Sequence, residues 1–365
     1  MSEKRKLDKE IGVFQSHRHF WNNSPGTVLR GESVLVPDPL RIRIYDENIK
    51  GEFTSEMLDL EKLIDDITHA YQDRPLLNED TFQCISFAGV VPWLEAIIGC
   101  HLYSLGKGAS IVANPADIEP GDLVQHLRYL LDNLDENVWF KKLSDGYQAL
   151  AKALGTKFPL APSLMRGPGD MVGALLGHET FIWRMLKPAD NKDFLNELLD
   201  LSAKIYIKTV EMQLERSKGF KGGYCNGWGL WAPGLNISTQ EDEAAFVSPK
   251  LYNKFLLPYH VQEADAFDYS TFHMHSGYVI SVYNWRDFSK KSTISAFEVA
   301  LDPSGPAIED LMETLLEINS EKPLIIDATT DEQGKAVEKH IYDFPGSILH
   351  NNLDTERYLL GSAKA

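Results

Sequence analysis

From about residue 80 onward, short β-rich segments alternate with longer segments of helical periodicity. This alternation favours a parallel sheet whose strands are joined by crossover helices. Eight candidate strands fit a (β/α)8 TIM barrel, and an open, doubly wound sheet is the alternative. The predicted strands are 83–90, 109–114, 158–164, 222–227, 269–275, 294–301, 323–328 and 346–351, and the predicted helices are 118–134, 140–155, 168–186, 190–218, 248–265, 305–319 and 331–341.

The N-terminal part of the sequence has a different pattern. Residues 1–50 show no clear periodicity, and residues 53–72 have apolar side chains at helical spacing. We therefore expect residues 1–75 to form an N-terminal extension that caps a barrel built from residues 76–365. Neither a G-x-G-x-x-G nor a P-loop motif follows a predicted strand, so the sequence does not indicate a dinucleotide or nucleoside triphosphate site.

The composition of the chain disfavours some classes of binding partner. The chain has 53 acidic and 36 basic residues, a formal net charge of −17, which disfavours nucleic-acid binding and anionic membranes. The cysteines Cys84, Cys100 and Cys225 are widely spaced, which is typical of a reducing compartment. No segment approaches the about 18 apolar residues of a membrane helix, and the N-terminus does not resemble a signal peptide. We expect a cytoplasmic protein.

The sequence Phe-His-Met-His-Ser-Gly ends a predicted strand and is the sharpest chemical motif in the chain. His273 and His275, two residues apart on a strand, share a face and would both point into the mouth of a barrel. His350 ends the last predicted strand, and three imidazoles are a suitable ligand set for Zn²⁺. The alternative is a hydrogen-bonded or substrate-orienting histidine pair without a metal.

A glycine- and tryptophan-rich segment, residues 222–234, is a second candidate. Its glycines let the backbone approach a ligand closely, and Asn226, Trp228 and Trp231 could line a substrate pocket. The alternative is a structural turn with its tryptophans in the core. Cys225 is interpreted as a small buried hydrophobic residue rather than a thiolate.

Further polar groups follow predicted strands. Arg166 opens the turn Arg-Gly-Pro-Gly-Asp, whose backbone N–H groups could hold a carboxylate or phosphate, unless it is an ordinary proline-started helix. Asp302 and Asp327 each follow an apolar strand. Either could act as a general base or orient a histidine, and capping of the next helix is the alternative.

Several ordered segments of the chain resemble the uroporphyrinogen decarboxylase superfamily, which includes the corrinoid-linked methyltransferases. The resemblance covers roughly residues 80–355 and rests on the order of its parts. These are a first strand and helix at 89–103, a glycine–proline turn with two helices at 166–214, a Ser-Pro helix at 246–260, and Phe-His-Met-His-Ser-Gly at 272–277. It implies a (β/α)8 barrel, commonly a homodimer, with the site at the carboxyl ends of the strands.

The resemblance distinguishes two branches of the superfamily. The chain lacks the N-terminal Arg-rich motif of the decarboxylases, and Phe87 stands where their substrate-gripping Asp is expected, so we place Phe87 in the pocket lining. The methyltransferases bind zinc through His-x-Cys and a second Cys near the last strand. His273 matches the first ligand, His275 replaces the Cys, and His350 falls near the third.

These observations predict zinc-assisted methyl transfer between a small methylated substrate and a corrinoid or related carrier, held by a partner protein. His273, His275 and His350 would bind the metal, and Asp327 or Asp302 would accept or orient protons. One alternative is a metal-free decarboxylase of a small or tetrapyrrole acid, with its carboxylate held by an arginine. Arg166, Arg18 and Arg41 are the candidates for that role. A non-enzymatic barrel that binds a corrinoid or another small molecule is the third alternative.

Overall fold

The computed structural model of the chain describes residues 3–33, 38–108, 110–277, 286, 288–290 and 293–353. Thirteen α-helices are described, and the longest, α9, spans 30 residues. They are α1 Glu3–Trp21, α2 Pro39–Asp46, α3 Leu60–Tyr71, α4 Trp93–Ile97, α5 Leu123–Asp132, α6 Val138–Ala153, α7 Pro168–Leu176, α8 His178–Leu186, α9 Pro188–Ser217, α10 Pro249–Phe255, α11 Leu257–Asp265, α12 Ile308–Glu321 and α13 Asp331–His340. Within these described segments, no helix combines the length and the apolar character that crossing a membrane requires.

A seven-stranded parallel sheet forms the centre of the fold, with the strand order β1-β14-β13-β12-β11-β10-β7. Three smaller antiparallel sheets pair β2 and β6 with β5, β3 with β4, and β8 with β9. The strands are β1 Val28–Ser33, β2 Lys50–Glu52, β3 Leu77–Asn78, β4 Thr81–Phe82, β5 His101–Leu105, β6 Ile111–Asn114, β7 Met165–Arg166, β8 Tyr224–Cys225, β9 Trp231–Ala232, β10 Asn236–Gln240, β11 Tyr269–His275, β12 Ala296–Leu301, β13 Leu324–Ala328 and β14 Ile348–Leu353.

The four predicted strands at 269–275, 294–301, 323–328 and 346–351 are confirmed as β11 to β14. Among the described residues the main sheet is not closed by backbone pairing. Predicted strands 83–90 and 158–164 contribute only one parallel bridge, between Ile85 and Leu160. The structure therefore establishes an α/β fold with a parallel sheet.

Two strands of the main sheet differ from the sequence prediction. β1 lies in the region predicted as an extension, and it pairs with β14 from Val28 opposite Ile348 onward. The N-terminal region is therefore a part of the sheet, which corrects the predicted boundary at residue 75. β10, Asn-Ile-Ser-Thr-Gln, is too polar to be recognised as a buried strand.

Predicted strands 109–114 and 222–227 lie outside the main sheet. The first coincides with β6 of an antiparallel sheet, although residue 109 is outside the described residues. The second contributes β8, which forms a hairpin with β9. Both segments have β propensity, which does not reveal the sheet that a strand joins.

Helix α1 covers the amino-terminal ends of the parallel strands. Its Phe20 and Trp21 pack in one buried cluster with Leu29, Ile325 and Leu349, which lie early in β1, β13 and β14. Because this end is filled by apolar side chains, the carboxyl ends of the strands remain as the place for a polar site.

Candidate functional site at the carboxyl ends of the strands

Two histidines face each other near the end of β11. Nε2 of His273 lies 3.1 Å from Nε2 of His275. Each ring is also held from its other nitrogen, because Nδ1 of His273 is hydrogen-bonded to Glu298 and Nδ1 of His275 to Asp302, the latter at 2.9 Å. The four side chains form a chain of contacts, from Glu298 in the interior to the half-buried Asp302 at the rim.

The strand register explains this arrangement. His273 is opposite Glu298 in the pairing of β11 with β12, and side chains two residues apart on a strand share a face. His275 therefore lies on the same face as His273, one step nearer the carboxyl end. Asp302 follows directly after β12 and its Oδ2 also accepts the N–H of Gly277 at 2.7 Å, which fixes the carboxylate beside His275.

The hydrogen bonds of the two imidazoles determine what must lie between their Nε2 atoms. An ionised carboxylate only accepts hydrogen bonds, so a ring whose Nδ1 bonds to one carries its proton there and presents a lone pair at Nε2. Two lone pairs 3.1 Å apart repel unless a proton or a cation lies between them. With both carboxyls ionised, the arrangement of His273 and His275 calls for a shared proton or a metal ion between the rings. With Glu298 protonated, Nε2–H of His273 donates to Nε2 of His275 and no additional cation is required.

Asp327 lies on the same side of the sheet and is held by two donors. Its Oδ2 accepts the indole N–H of Trp228 at 2.9 Å, and its Oδ1 accepts the amide of Asn351 at 2.8 Å. Trp228 in turn stacks on His273, with ring centroids 6.3 Å apart and planes 25° from parallel. One tryptophan thus connects the carboxylate of β13 to the histidine pair of β11.

The loop that carries Trp228 is organised by Asn226. The Asn226 side-chain oxygen accepts the N–H groups of Trp228 and Leu230, both at 3.1 Å, which stabilises a tight turn. Its amide nitrogen donates to Oγ1 of Thr271 at 3.1 Å. Asn226 is fully buried, so it positions the loop on β11 and does not line a cavity.

Burial decides the charge states of the site. It lowers the pKa of His273 below that of a free imidazole, because the charged ring loses its hydration. It raises the pKa of Glu298 and of Asp327 well above that of a free carboxyl, and the neighbouring Glu298 raises the pKa of Asp327 further. The interior of the site therefore favours a neutral imidazole, which is the form that binds a metal ion.

A cavity of about 310 Å³ is lined by Arg166 and Gln240, and neither His273 nor His275 is part of its wall. Arg166 is opposite Gln240, and Gln240 is opposite His273, so Arg166 and His273 are two strands apart, or about 10 Å. Arg41 lines the same cavity. Arg166 also forms a 3.3 Å ion pair with Glu95, which is buried.

The structure does not bring His350 to the other two histidines. On β14, Asn351 reaches Asp327, whereas Nδ1 of the preceding His350 bonds to Glu338 of α13 at 3.0 Å. Neighbouring side chains on a strand point to opposite faces, so His350 lies on the helix side of the sheet. The structure therefore separates His350 from the other two predicted ligands, and within the described residues no cluster of three or more His, Cys, Asp or Glu side chains is arranged to hold a metal.

Two further predicted pocket residues belong to the core. Trp231 is buried, donates from its indole to the carbonyl of Phe220 at 2.9 Å, and packs against the N-terminal helix. Phe87 is also buried and stacks near Trp93. A Cβ on Gly146 would lie 2.4 Å from the ring of Phe87, so this ring fills a space within the core. Neither residue reaches the site.

The glycine–proline turn holds a carboxylate of the chain itself. The N–H of Gly169 donates to Oε2 of Glu241 at 2.8 Å, and a Cβ on Gly169 would lie 2.6 Å from Oε1 of the same side chain. The N–H of Glu243 donates to Asp170 at 2.9 Å. The carboxyl of Glu241 therefore occupies the site where the sequence predicted a bound anion. Through this contact the turn connects the end of β10 to α7.

Two residues of the site carry no role in the sequence prediction, namely Glu298 and Asn351. Glu298 stands within the apolar run Ala-Phe-Glu-Val-Ala-Leu, and a charged residue inside such a run is a detectable signal. Asn351 has no comparable signal, because its role depends on which strand lies next to β14.

Comparison with known proteins leaves this geometry as the main source of functional information. No protein-family model matches the chain, and no curated protein is significantly similar to it.

Proposed function

We propose that the chain is an enzyme that transfers a group, with methyl transfer as the leading reaction, and that His273 and His275 bind a zinc ion needed for it. The 3.1 Å separation of the two Nε2 atoms supports this proposal most directly. It is close to the separation of two nitrogens that share one zinc ion at about 2.0–2.1 Å. The choice of methyl transfer rests on the sequence resemblance described above.

The surroundings of the two imidazoles fit a metal. Glu298 and Asp302 each hold an Nδ1, which is how carboxylates usually orient metal-binding histidines. Two protein ligands leave coordination positions for water and substrate. A zinc ion there would act as a Lewis acid and lower the pKa of a bound thiol or water.

The protein's own residues would orient the substrate. Trp228 stacks on His273 and offers an apolar ring to a small methylated molecule. Asp327, fixed by Trp228 and Asn351, supplies a carboxyl whose pKa is raised by burial, so it releases a proton less readily than a free carboxyl. The cavity beside Gln240 would admit a molecule of modest size. A corrinoid or related carrier on a partner protein would then be the other party to the transfer.

We also propose that the sheet closes into an eight-stranded barrel, with the segment around residues 80–85 as the missing strand. On one side, the N–H of Asp80 donates to the carbonyl of Arg30 in β1 at 2.9 Å. On the other, Ile85 bonds through both backbone groups, to Pro159 and to Ala161, at 3.0 Å each. These bonds support a position of the segment between β1 and the chain that leads into β7, where a closed barrel would have its eighth strand. A crystal structure with paired backbone along residues 80–87 would support closure, and a gap there would refute it.

Metal content tests the proposed function. Protein purified without a metal-binding tag and equilibrated with one molar equivalent of zinc should retain zinc after dialysis, as measured by elemental analysis. His273→Ala and His275→Ala should abolish retention. His350→Ala, on the opposite face of the sheet, is the matched control and should retain the metal. Zinc binding lost only in the His350 variant, or absent from the native chain, would refute the proposed metal site.

A second candidate function is metal-free decarboxylation of a small carboxylic acid. Arg41 and Arg166 both line the cavity at Gln240, the residue opposite His273 in the sheet, and either could hold a substrate carboxylate. The contacts also form a proton path if Glu298 is protonated: its hydroxyl donates to Nδ1 of His273, Nε2–H of His273 donates to His275, and Nδ1–H of His275 donates to Asp302. Turnover of a small acid with a chelator present, lost in Arg166→Gln, would favour this function over the first.

A further inference from the structure

Cys84 and Cys225 meet in a small cluster on the outer side of the glycine- and tryptophan-rich loop. Cys225 is fully buried among Val13, Phe82 and Trp231, and the half-buried Cys84 packs against the same cluster. The backbone bond between Phe82 and Gly229 joins the two segments, and both cysteine side chains belong to the one cluster. The two cysteines are thus neighbours, although 140 residues separate them in the chain.

The backbones that carry these thiols are fastened to each other. The N–H of Phe82 donates to the carbonyl of Gly229 at 3.0 Å. Gly229 has a φ of 74°, and a Cβ on it would lie 2.2 Å from the carbonyl oxygen of Phe82. Only glycine permits this approach, so the Cys84 segment and the Cys225 loop are held in a fixed relation at the contact of Phe82 with Gly229.

From this juxtaposition we propose that Cys84 and Cys225 are a redox-sensitive pair, and that a peroxide oxidant converts them to a disulfide that alters the loop carrying Trp228. Cys100 is buried in the main core, which excludes it as a partner.

The reaction balances in two steps. Sulfur of Cys84, the more exposed thiol, attacks a peroxide oxygen; an S–O bond forms, the O–O bond breaks, and one water leaves. Sulfur of Cys225 then attacks the sulfenic sulfur of Cys84, and the hydroxyl leaves as a second water with the thiol proton. Overall, two thiols lose two electrons and two protons, and hydrogen peroxide is reduced to two waters. Burial raises the pKa of Cys225, so its thiol must lose its proton as it attacks, and the more exposed Cys84 is the sulfur that meets the peroxide first.

Disulfide formation would act on the loop through its first residues. The sulfurs must move from non-bonded contact to a bond of about 2.05 Å. Cys225 directly precedes Asn226, whose side chain fixes both the turn and its attachment to Thr271. Displacement at Cys225 therefore strains the contacts that hold Trp228 against His273. This inference does not depend on the reaction proposed above.

Peptide mapping tests the pair directly. The reduced protein is treated with hydrogen peroxide, alkylated and digested without reductant. A peptide that joins Cys84 to Cys225 should appear, should disappear on reduction, and should be absent from Cys84→Ser and Cys225→Ser. Cys100→Ser is the matched control and should still form it. Unmodified cysteines, sulfinic acid at Cys84 without a linked peptide, or a link through Cys100 would each overturn the proposal.

Hydrogen exchange tests the effect on the loop. In the oxidised native protein, backbone amides of residues 226–231 should exchange roughly tenfold faster than in the reduced protein, because their turn is strained. Oxidised Cys84→Ser should exchange at the reduced rate. Equal rates in both forms of the native protein would refute a connection between the thiol pair and the Trp228 loop, even if the disulfide forms.

Discussion

His273 and His275 present their Nε2 atoms to each other at 3.1 Å while each Nδ1 is held by a carboxylate. Both rings lie on β11, two residues apart, so they share a face of the sheet. The two carboxylates come from Glu298 of β12 and from Asp302, which directly follows β12. This arrangement gives the site an internal test, because each carboxylate can be changed without removing an imidazole.

Glu298→Gln and Asp302→Asn should each weaken zinc binding by about 10- to 100-fold, because the amides hold Nδ1 less well and do not increase ring basicity. Competition titration against a zinc indicator would measure the change. Glu338→Gln, which alters the partner of His350 on the other face, is the control and should leave the affinity within about twofold. Equal loss in all three variants would show a general structural effect.

Trp228→Phe should lower the free energy of unfolding by about 1–3 kcal/mol, because it removes a donor from the buried carboxyl of Asp327. Urea denaturation would measure this loss. Trp183→Phe is the matched control, since Trp183 is 57% exposed, and it should change the stability by less than about 0.5 kcal/mol. An unchanged free energy of unfolding in Trp228→Phe would contradict a stabilising role for the hydrogen bond from the Trp228 indole to Asp327.

Glu241→Gln should flatten the dependence of stability on pH between 4.5 and 8. Burial raises the pKa of Glu241 from 4.5 to about 8 in the folded protein. Across that interval the unfolded chain has released this proton while the folded chain retains it, so the native protein loses stability as pH rises. Denaturant titrations at several pH values would show a smaller slope in Glu241→Gln, whereas the exposed control Glu179→Gln should keep the native slope.

Gly169→Ala should destabilise the protein by about 1–3 kcal/mol, because the new Cβ would lie 2.6 Å from the Glu241 carboxylate and 2.8 Å from Leu256. A thermal or urea denaturation curve would show the loss. Gly121→Ala is the matched control, since nothing lies within 4 Å of its Cβ position. Equal stability of the two variants would contradict the close packing of Gly169 against Glu241 and Leu256.

The four apolar strands β11 to β14 could be predicted because their β-branched and aromatic runs are bounded by breaks in the helical pattern. The pairing of His273 with His275 followed from the same periodicity, since residues two apart share a face. β10 could not be recognised in this way. The amide nitrogen of its Asn236 and the hydroxyl of its Ser238 are hydrogen-bonded to residues of the preceding loop. Hydrophobicity alone does not predict such contacts.

The sequence also could not predict which face of the sheet the side chain of His350 lies on. A shift of one residue in strand register moves a side chain to the opposite side of the sheet. The sequence around His350 places polar residues at 350, 351 and 352, so periodicity did not distinguish them. Contacts with Asp327 and Glu338, both distant from the end of β14 in sequence, decide which residue faces the site.

The pairing of β1 with β14 has a consequence for how the molecule is made. Val28 pairs with Ile348, so β1 is synthesised some three hundred residues before the strand that pairs with it. Until β14 is made, the edge of β1 that will bond to it has no partner. During that interval the exposed edge is open to mispairing, and chaperones that shield nascent chains would act there.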